Sequence, residues 1–224
     1  MNYSIEGGTL PVLICKLDAG ESIISEAGGR TWMKGNITTE NKAEGGIKKG
    51  LGRMLSGESL FMSRYTANGP CEIAFASSFP GTIVATELAK GETIICQKKA
   101  FKASTESVEL SMHFQKKLGK GLFGGEGFIM QKVTGPGIVF LEFDGHCVEY
   151  NLASGEKLIC DTGVVAAMEE TCGFEIESIK GIKNIVFGGE GLFETVVTGP
   201  GKVWVQSMTI EQLASLIVPY VPSK

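Results

Sequence analysis

Histidine is nearly absent from this chain, which contains only His113 and His146 among its 224 residues. The sequence has no HExxH pattern, no two histidines at ligand spacing and no CxxC pair among its six cysteines. These are the patterns that zinc proteins and thiol redox proteins usually carry. We therefore predict no metal site and no cofactor, and we interpret the cysteines as buried, reduced thiols.

Motifs of nucleophilic catalysis and of nucleotide binding are missing as well. There is no GxSxG pattern and no phosphate-loop pattern GxxxxGK[ST]. Two FGGEG segments are rich in glycine, but each leads into residues typical of a strand, and glutamate stands where a phosphate loop needs lysine. The sequence thus offers no catalytic residues and does not favour an enzyme.

Long apolar runs and a strong net charge are also lacking. No stretch approaches the roughly 18 apolar residues that a membrane-spanning helix needs. The N-terminal sequence MNYSIEGGTLPVLICKL has no basic start followed by a long apolar run. The net charge of −4 argues against a surface that attracts nucleic acid everywhere. Together these absences predict a cytoplasmic protein with no transmembrane segment.

What the sequence does contain is one pattern repeated three times. LGKGLFGGEGFIMQKVTGPGIVFLEF begins at position 118 and IKNIVFGGEGLFETVVTGPGKVWVQS at position 182, so that Glu126 and Glu190 are 64 positions apart. A more divergent copy, LGRMLSGESLFMSRYTANGPCEIAF, has Glu58 and Pro70 in the same roles, with two extra residues between them. Internal repetition of this kind predicts a fold assembled from equivalent units that share a core.

Two kinds of turn recur within the repeats. Apolar segments flank an xxGE turn whose glycine suits the positive φ of a three-residue hairpin. Other apolar segments flank TGPG, which suits a type II turn with the positive φ at its second glycine. The glycines concerned are Gly20, Gly91 and Gly155 in the xxGE turns, and Gly137 and Gly201 in the TGPG turns. The first copy has Cys71 in place of that second glycine, which predicts a different turn there.

These patterns predict an all-β protein. We expect one β domain over residues 1–208, with three repeats at about 11–78, 82–143 and 147–208, and a tail at 209–224. The three pseudo-symmetric β-sheet repeats are predicted to form a prism or barrel. Thr209 is a helix cap and Pro219 a helix terminator, so we expect a short C-terminal helix that partly closes the β core.

Basic residues precede each repeated glutamate. In a three-fold assembly the equivalent loops would lie at one end, where eight positive charges could share a face that binds an anionic partner. The alternative is that they are solvated side chains on loops. The residues are Lys48, Lys49 and Arg53 in the first copy, Lys116, Lys117 and Lys120 in the second, and Lys180 and Lys183 in the third.

The repeated glutamates Glu58, Glu126 and Glu190 have two interpretations. They could converge as a cation site or act as acid and base. Alternatively, each carboxylate accepts backbone N–H bonds within its glycine-rich turn. We favour the structural interpretation, because repeated units keep architectural residues in every copy.

The order and spacing of several motifs resemble one known family across nearly the whole chain. These motifs are EAGG at 26–29, GESLF at 57–61, PGTI at 80–83, GEGF at 125–128, DTGVVA at 161–166 and the FGGEGLFETVVTGPG segment. They resemble the "altered inheritance of mitochondria 24" family. The resemblance implies three similar β-sheets in a fold related to that of the tryptophan RNA-binding attenuation protein. It brings no established catalytic residues, and Gly163-Val164 departs from the Gly-His that family members often have.

The leading functional hypothesis is a non-enzymatic binding or scaffold protein. It would present its repeated loops to a macromolecular partner, either a protein or a membrane-associated one. One alternative is a nucleic-acid-binding module that uses the basic loops. Another is a metal-dependent enzyme or small-ligand protein that uses the repeated glutamates. Exposed strand edges are compatible with a homo-oligomer, whose copy number the sequence does not determine.

Overall fold

A computed structural model describes residues 1–43, 61–116, 128–178 and 193–221. This part of the chain is built almost entirely of β-strands, with one α-helix, α1 (Ile210–Ile217), and two single-turn 3-10 helices, Lys98–Ala100 and Val218–Tyr220. The strands are β1 (Asn2–Glu6), β2 (Val12–Leu17), β3 (Ser22–Glu26), β4 (Trp32–Lys34), β5 (Ile37–Ala43), β6 (Phe61–Ala67), β7 (Cys71–Ala76), β8 (Gly81–Leu88), β9 (Thr93–Gln97), β10 (Phe101–Thr105), β11 (Glu109–Lys116), β12 (Phe128–Thr134), β13 (Gly137–Asp144), β14 (Cys147–Leu152), β15 (Lys157–Asp161), β16 (Val165–Glu169), β17 (Gly173–Ser178), β18 (Phe193–Thr198) and β19 (Gly201–Gln206). The all-β prediction is therefore confirmed.

The strands form four antiparallel sheets. Sheet A has the strand order β1-β2-β7-β4, and sheet B has the order β5-β6-β3-β10-β13-β8. Sheet C has the order β11-β12-β9-β16-β19-β14, and sheet D has the order β15-β18-β17. Sheets B and C thus have six strands each, whereas sheet D has three.

The chain alternates between neighbouring sheets in a regular way. Of the six strands β2 to β7, three belong to sheet A (β2, β4, β7) and three to sheet B (β3, β5, β6). The next six strands, β8 to β13, are distributed in the same order over sheets B and C, and β14 to β19 over sheets C and D. Each group of six strands therefore bridges two adjacent sheets, and β1 is an addition to the edge of sheet A.

The xxGE turns have the predicted local geometry but a different role. Gly20, Gly91 and Gly155 have φ values of 88°, 82° and 78°, as expected. The glutamate that follows each glycine accepts a hydrogen bond from the backbone N–H three residues earlier, at 2.7–2.9 Å. The flanking strands do not pair, however, because β2 lies in sheet A and β3 in sheet B. The predicted hairpins are wrong here: each turn carries the chain to the next sheet.

The TGPG turns also connect different sheets. Gly137 and Gly201 have the predicted positive φ, at 141° and 142°, but Gly135–Pro136 and Gly199–Pro200 are cis peptide bonds. The turns therefore depart from the predicted type II geometry, and they return the chain from one sheet to the preceding one.

Three hydrophobic cores separate the four sheets. The A/B core buries side chains of sheets A and B, the B/C core those of B and C, and the C/D core those of C and D. Buried residues include Leu13, Ile73, Phe75 and Phe140 in the A/B core, Phe101, Leu141, Phe143 and Trp204 in the B/C core, and Phe128, Met130, Met168 and Val203 in the C/D core. Sheets B and C are consequently covered on both faces, whereas A and D each have one face without a core.

The predicted barrel is wrong. Within the described residues no sheet closes on itself, and the sheets stack in the order A, B, C, D. The physical reason lies in the strand pairing. Strand β3 pairs with β10 and strand β9 with β16, so successive groups of strands are joined side by side through a shared sheet.

The C-terminal helix is confirmed, although it does not cover a core. Thr209 caps α1 with a capping box: its Oγ1 accepts from the Gln212 N–H at 3.2 Å, and its own N–H donates to Gln212 Oε1 at 2.8 Å. None of the helix residues is buried. Glu211, in the first turn of α1, forms an ion pair at 3.5 Å with Lys99 of the first 3-10 helix, Lys98–Ala100.

Candidate functional site

Most of the predicted site residues lie outside the described residues. They are Lys48, Lys49, Arg53 and Glu58 within 44–60, Lys117, Lys120 and Glu126 within 117–127, and Lys180, Lys183 and Glu190 within 179–192. Lys116 is the exception, since it is the last residue of β11. The basic and acidic predictions at these positions stay predictions.

The strands that flank these three segments are described, and they form three hairpins. The strands of each hairpin end opposite one another: Ala43 pairs with Phe61, Lys116 with Phe128, and Ser178 with Phe193. The first strand of each hairpin, namely β5, β11 or β17, is an edge strand of sheet B, C or D respectively. The three predicted loops therefore connect corresponding strand ends in three successive sheets.

Packing between the sheets brings the hairpins next to one another. Met62 of β6 and Leu110 of β11 both pack against the B/C core. Phe128 of β12 stacks on Phe174 of β17, with ring centroids 5.7 Å apart and an angle of 2° between the ring planes. Aromatic contacts of this kind help to fix the relative position of the two elements. Side chains of neighbouring hairpins thus pack on a common core or on each other.

An ion pair crosses the shared sheet beside each of the first two hairpins. Arg64 of β6 contacts Glu106 at 2.5 Å, and Lys132 of β12 contacts Glu170. The hydrogen bond from Lys132 holds the pKa of the Glu170 carboxyl below its usual value. These four side chains are partly exposed, so each pair contributes little to stability. Their charges are neutralised locally.

Comparison with known proteins identifies the family. The family model described as "Mitochondrial biogenesis AIM24" matches residues 3–208. The chain belongs to this AIM24 family. It is 31% identical over 232 residues to an uncharacterised protein of Streptococcus pyogenes serotype M6, and the match covers 100% of this chain and 92% of that protein.

A solved structure shows the same fold. The X-ray structure of another Streptococcus pyogenes protein, determined in a structural genomics programme, matches with a TM-score of 0.80 at 26% sequence identity. The match covers 98% of this chain and 99% of that one. The fold of this AIM24-family chain is therefore shared along its length with a protein of bacterial origin.

Gly163, which precedes Val164, has a structural role in this AIM24-family chain. Gly163 has a φ of 100°, and its carbonyl oxygen accepts hydrogen bonds from two buried side chains. Gln97 Nε2 and Gln206 Nε2 each donate to it at 2.8 Å. Gln97 Nε2 also donates to the Val165 carbonyl at 2.7 Å. Neither glutamine could be recognised from the sequence, because nothing in the residues around it distinguishes it from a surface glutamine.

The cysteines do not form a reactive site. All six are free; Cys15, Cys96 and Cys172 are buried, and the other three are half-buried. Burial raises the pKa of Cys15 and Cys96 to about 12 and that of Cys147 and Cys160 to about 11. These thiols stay protonated at neutral pH, and a protonated thiol is a poor nucleophile.

The two histidines are exposed and lie on separate elements, His113 on β11 and His146 in the turn between β13 and β14. Burial and the neighbouring Lys132 lower the pKa of His113. Among residues 1–43, 61–116, 128–178 and 193–221, no three His, Cys, Asp or Glu side chains are grouped so that they could hold a metal ion. In the same residues no helix is long and apolar enough to cross a bilayer.

A surface pocket of about 460 Å³ lies on the outer face of sheet A. It contains a row of polar side chains that are cross-strand neighbours: Asn2, Lys16, Glu72 and Lys34. The lining contains two basic residues, Lys16 and Lys34, and two acidic residues, Glu72 and Asp18, so the positive and negative charges balance. The pocket has no charge preference that would select an anionic or a cationic ligand.

Proposed function

We propose that this protein is a non-enzymatic binding or scaffold protein that presents three repeated loops to a macromolecular partner. The observation that supports the proposal most directly is the set of three hairpins, β5–β6, β11–β12 and β17–β18. Their open ends correspond in sheets B, C and D, and each end leads into a segment that contains both basic residues and the repeated glutamate. A partner with an extended surface could contact several such loops at once, which strengthens binding through multivalency.

The proposal includes the internal repetition inferred from the sequence. Three repeats at about 11–78, 82–143 and 147–208 agree with the three groups of six strands that bridge A and B, B and C, and C and D. In this view each repeat contributes one loop. The glutamates Glu58, Glu126 and Glu190 would stabilise the glycine-rich segments, and the lysines would contact the partner.

The proposed partner is a protein or a membrane-associated assembly with an anionic surface, met in the cytoplasm. Seven of the eight basic residues lie in the three loop segments and Lys116 ends β11, within a chain of net charge −4. Such local clusters of positive charge would attract an anionic surface. Aromatic residues suited to base stacking are not interleaved with these lysines, which favours such a partner over single-stranded nucleic acid.

The experiment compares two double variants. K117Q/K120Q removes two loop charges and leaves Lys116 in β11 intact, whereas K16Q/K90Q removes two exposed charges outside the loops. Binding is measured by sedimentation with anionic and with neutral vesicles, and by titration with polyglutamate. We expect binding to anionic vesicles or to polyglutamate to weaken several-fold in the loop variant alone. Equal binding by both variants would remove the loops from consideration.

The nucleic-acid alternative is tested with the same proteins. It rests on the lysine clusters and on the fold relationship that the family resemblance implies. It predicts binding to single-stranded RNA whose affinity falls steeply as salt is added. The wild-type protein would then bind RNA but neither vesicles nor polyglutamate, and K117Q/K120Q would lose the binding to RNA. That result would replace the proposed partner with a nucleic acid.

A further inference from the structure

Sheets A and D resemble two halves of one sheet. In sheet B, strands β5-β6-β3 join strands β10-β13-β8 through the β3·β10 pair, and in sheet C the corresponding join is the β9·β16 pair. Within its group of six strands, β15 is the second strand, as β3 and β9 are in theirs. Strand β4 is the third strand of its group, as β10 and β16 are in theirs. Both β15 and β4 are edge strands, of sheets D and A. We propose that β15 of one copy pairs with β4 of a second copy, so that sheets D and A join into one sheet across a homo-oligomer interface.

The two internal joins define the register of the proposed pair. Strand β16 aligns with β9 so that Ala167 lies opposite Cys96 and Met168 opposite Ile95. Strand β10 aligns with β3 in the same way, with Ala103 opposite Ser25 and Ser104 opposite Ile24. Transferred to the open edges, this register places Trp32 opposite Cys160 and Met33 opposite Ile159. The Met33–Ile159 pair repeats the combination of side chains found at Met168–Ile95.

Side chains on the open edges are far more exposed than their counterparts at the internal joins. Ile95 and Met168 are 2% and 1% exposed, whereas Ile159 and Met33 are 60% and 40% exposed. Ala103 and Ala167 are fully buried, whereas Trp32, at the corresponding position, is 43% exposed. Unpaired edges with large apolar side chains invite strand addition, because both the backbone groups and the side chains lack a partner. At the β9·β16 join, where the neighbouring strand is present, the same combination of isoleucine and methionine is buried.

An exposed apolar surface on β14 would also be covered by the second copy. Val148 and Tyr150 of β14 are 37% and 44% exposed, although their counterparts in β2, Leu13 and Cys15, are fully buried. Sheet B covers Leu13 and Cys15 with all six of its strands, whereas sheet D covers sheet C with only three. Sheet A of a second copy, joined to sheet D, would supply the missing half and bring Trp32 and Ile14 over Val148 and Tyr150.

Pairing within one chain does not satisfy these edges. In the described residues β4 and β15 are edge strands of different sheets, and no strand of sheet A pairs with a strand of sheet D. One copy offers one β15 edge and one β4 edge, so the association is head-to-tail and leads to a ring or a chain of copies.

The charge at the join distinguishes it from the loop surface. The ion pairs Arg64–Glu106 and Lys132–Glu170 cross the two internal joins. At the proposed join, Val196 of β18 takes the position of the basic residue and Gly35, after β4, that of the glutamate. The proposed join therefore lacks this ion pair, and its central pairs, Trp32–Cys160 and Met33–Ile159, should hold at salt concentrations that weaken ionic contacts. It is independent of the proposed partner-binding function.

A disulfide cross-link tests the register. Residues directly opposite one another in an antiparallel pair have Cα atoms about 4.5–5.5 Å apart, within the range that a disulfide spans. We expect Trp32→Cys to form dimers and larger species with native Cys160 on mild oxidation, seen on a non-reducing gel. The species should disappear when Cys160→Ala is added. Met33→Cys, whose side chain points to the other face of the sheet, should cross-link far less.

The mass of the protein in solution provides the second readout. We expect the wild-type chain to be larger than a monomer by light scattering, at low and at high salt. Ile159→Lys should weaken association by about tenfold or more, because it places a charge in an apolar edge contact, and its CD spectrum should be unchanged. Thr39→Lys, on the open edge of β5, is the matched control and should not change the mass. A monomeric wild type, or a Trp32→Cys disulfide formed only within one chain, would overturn the proposal.

Discussion

At the scale of single residues, the buried polar side chains show how the joins between strands are fixed. Gln97 ends β9 and Gln206 ends β19, and both donate to the Gly163 carbonyl in the turn that precedes β16. Gln206 also accepts the Asp144 N–H at 2.9 Å through its Oε1 atom. The two glutamines thus satisfy backbone groups that irregular turns would otherwise leave buried and unpaired.

Replacing Gln206 with leucine should lower the free energy of unfolding by about 1–3 kcal/mol, because the buried Asp144 N–H loses its acceptor. Chemical denaturation monitored by CD measures the loss. The control is Asn151→Leu at an exposed position of β14, which should change stability by less than about 0.5 kcal/mol. If both variants denature at the same midpoint, the glutamine network does not stabilise the fold.

At the scale of elements, similar local sequences have different environments. GETIIC, which leads into β9, and GEKLIC, which leads into β15, share a turn with the same glycine conformation and the same glutamate hydrogen bond. All five residues of β9 are buried, whereas β15 has none buried. The difference arises from the surroundings: β9 lies beside β16 in sheet C, which has a core on both faces, whereas β15 is an edge strand of sheet D, which packs on one core.

The C-terminal helix should unfold separately from the sheets. Thr209→Ala removes the capping hydrogen bond, which costs about 0.5–2 kcal/mol of helix stability. Since no residue of α1 is buried, we expect faster amide hydrogen exchange at 210–217 with little change in the unfolding midpoint of the β-sheets. Ser215→Ala, at an exposed position of the same helix, is the control. An equal loss of stability in helix and sheets would show that α1 is part of the core.

At the scale of the whole molecule, shared sheets connect the three cores. Sheet B contributes one face to the A/B core and the other to the B/C core, and sheet C does the same for the B/C and C/D cores. Neither sheet can lose its strands without exposing two cores. This arrangement favours cooperative unfolding of the entire β domain.

Trp204 allows that cooperativity to be measured, because it is buried in the B/C core. In a Trp32→Phe background, Ile73→Val in the A/B core should cost about 0.5–1.5 kcal/mol. The loss should be the same when followed by Trp204 fluorescence and by CD. Ile217→Val on the exposed helix should cause none. A shifted CD transition with an unshifted Trp204 transition would mean that the A/B core unfolds alone.

The candidate site could be predicted only in part. The sequence placed basic residues and a glutamate in three corresponding segments, and the structure describes the hairpins on which those segments lie. The contacts of the segments themselves stay predictions. Gln97, Gln206 and the open edges β4 and β15 could not be recognised in advance, since their importance depends on residues far away in the chain.

The sequence by itself determined the local structure. Alternating apolar residues and glycines at turn positions predicted the strands, the positive φ of Gly91 and the capped helix at Thr209, because each depends on residues a few positions apart. The tertiary structure alone decided which strands pair. The xxGE and TGPG turns lead to neighbouring sheets and not to hairpins, and the sheets form an open stack and not a barrel. A strand's hydrogen-bonding partner is selected by distant segments that compete for the same edge, and the sequence around a turn carries no record of that competition.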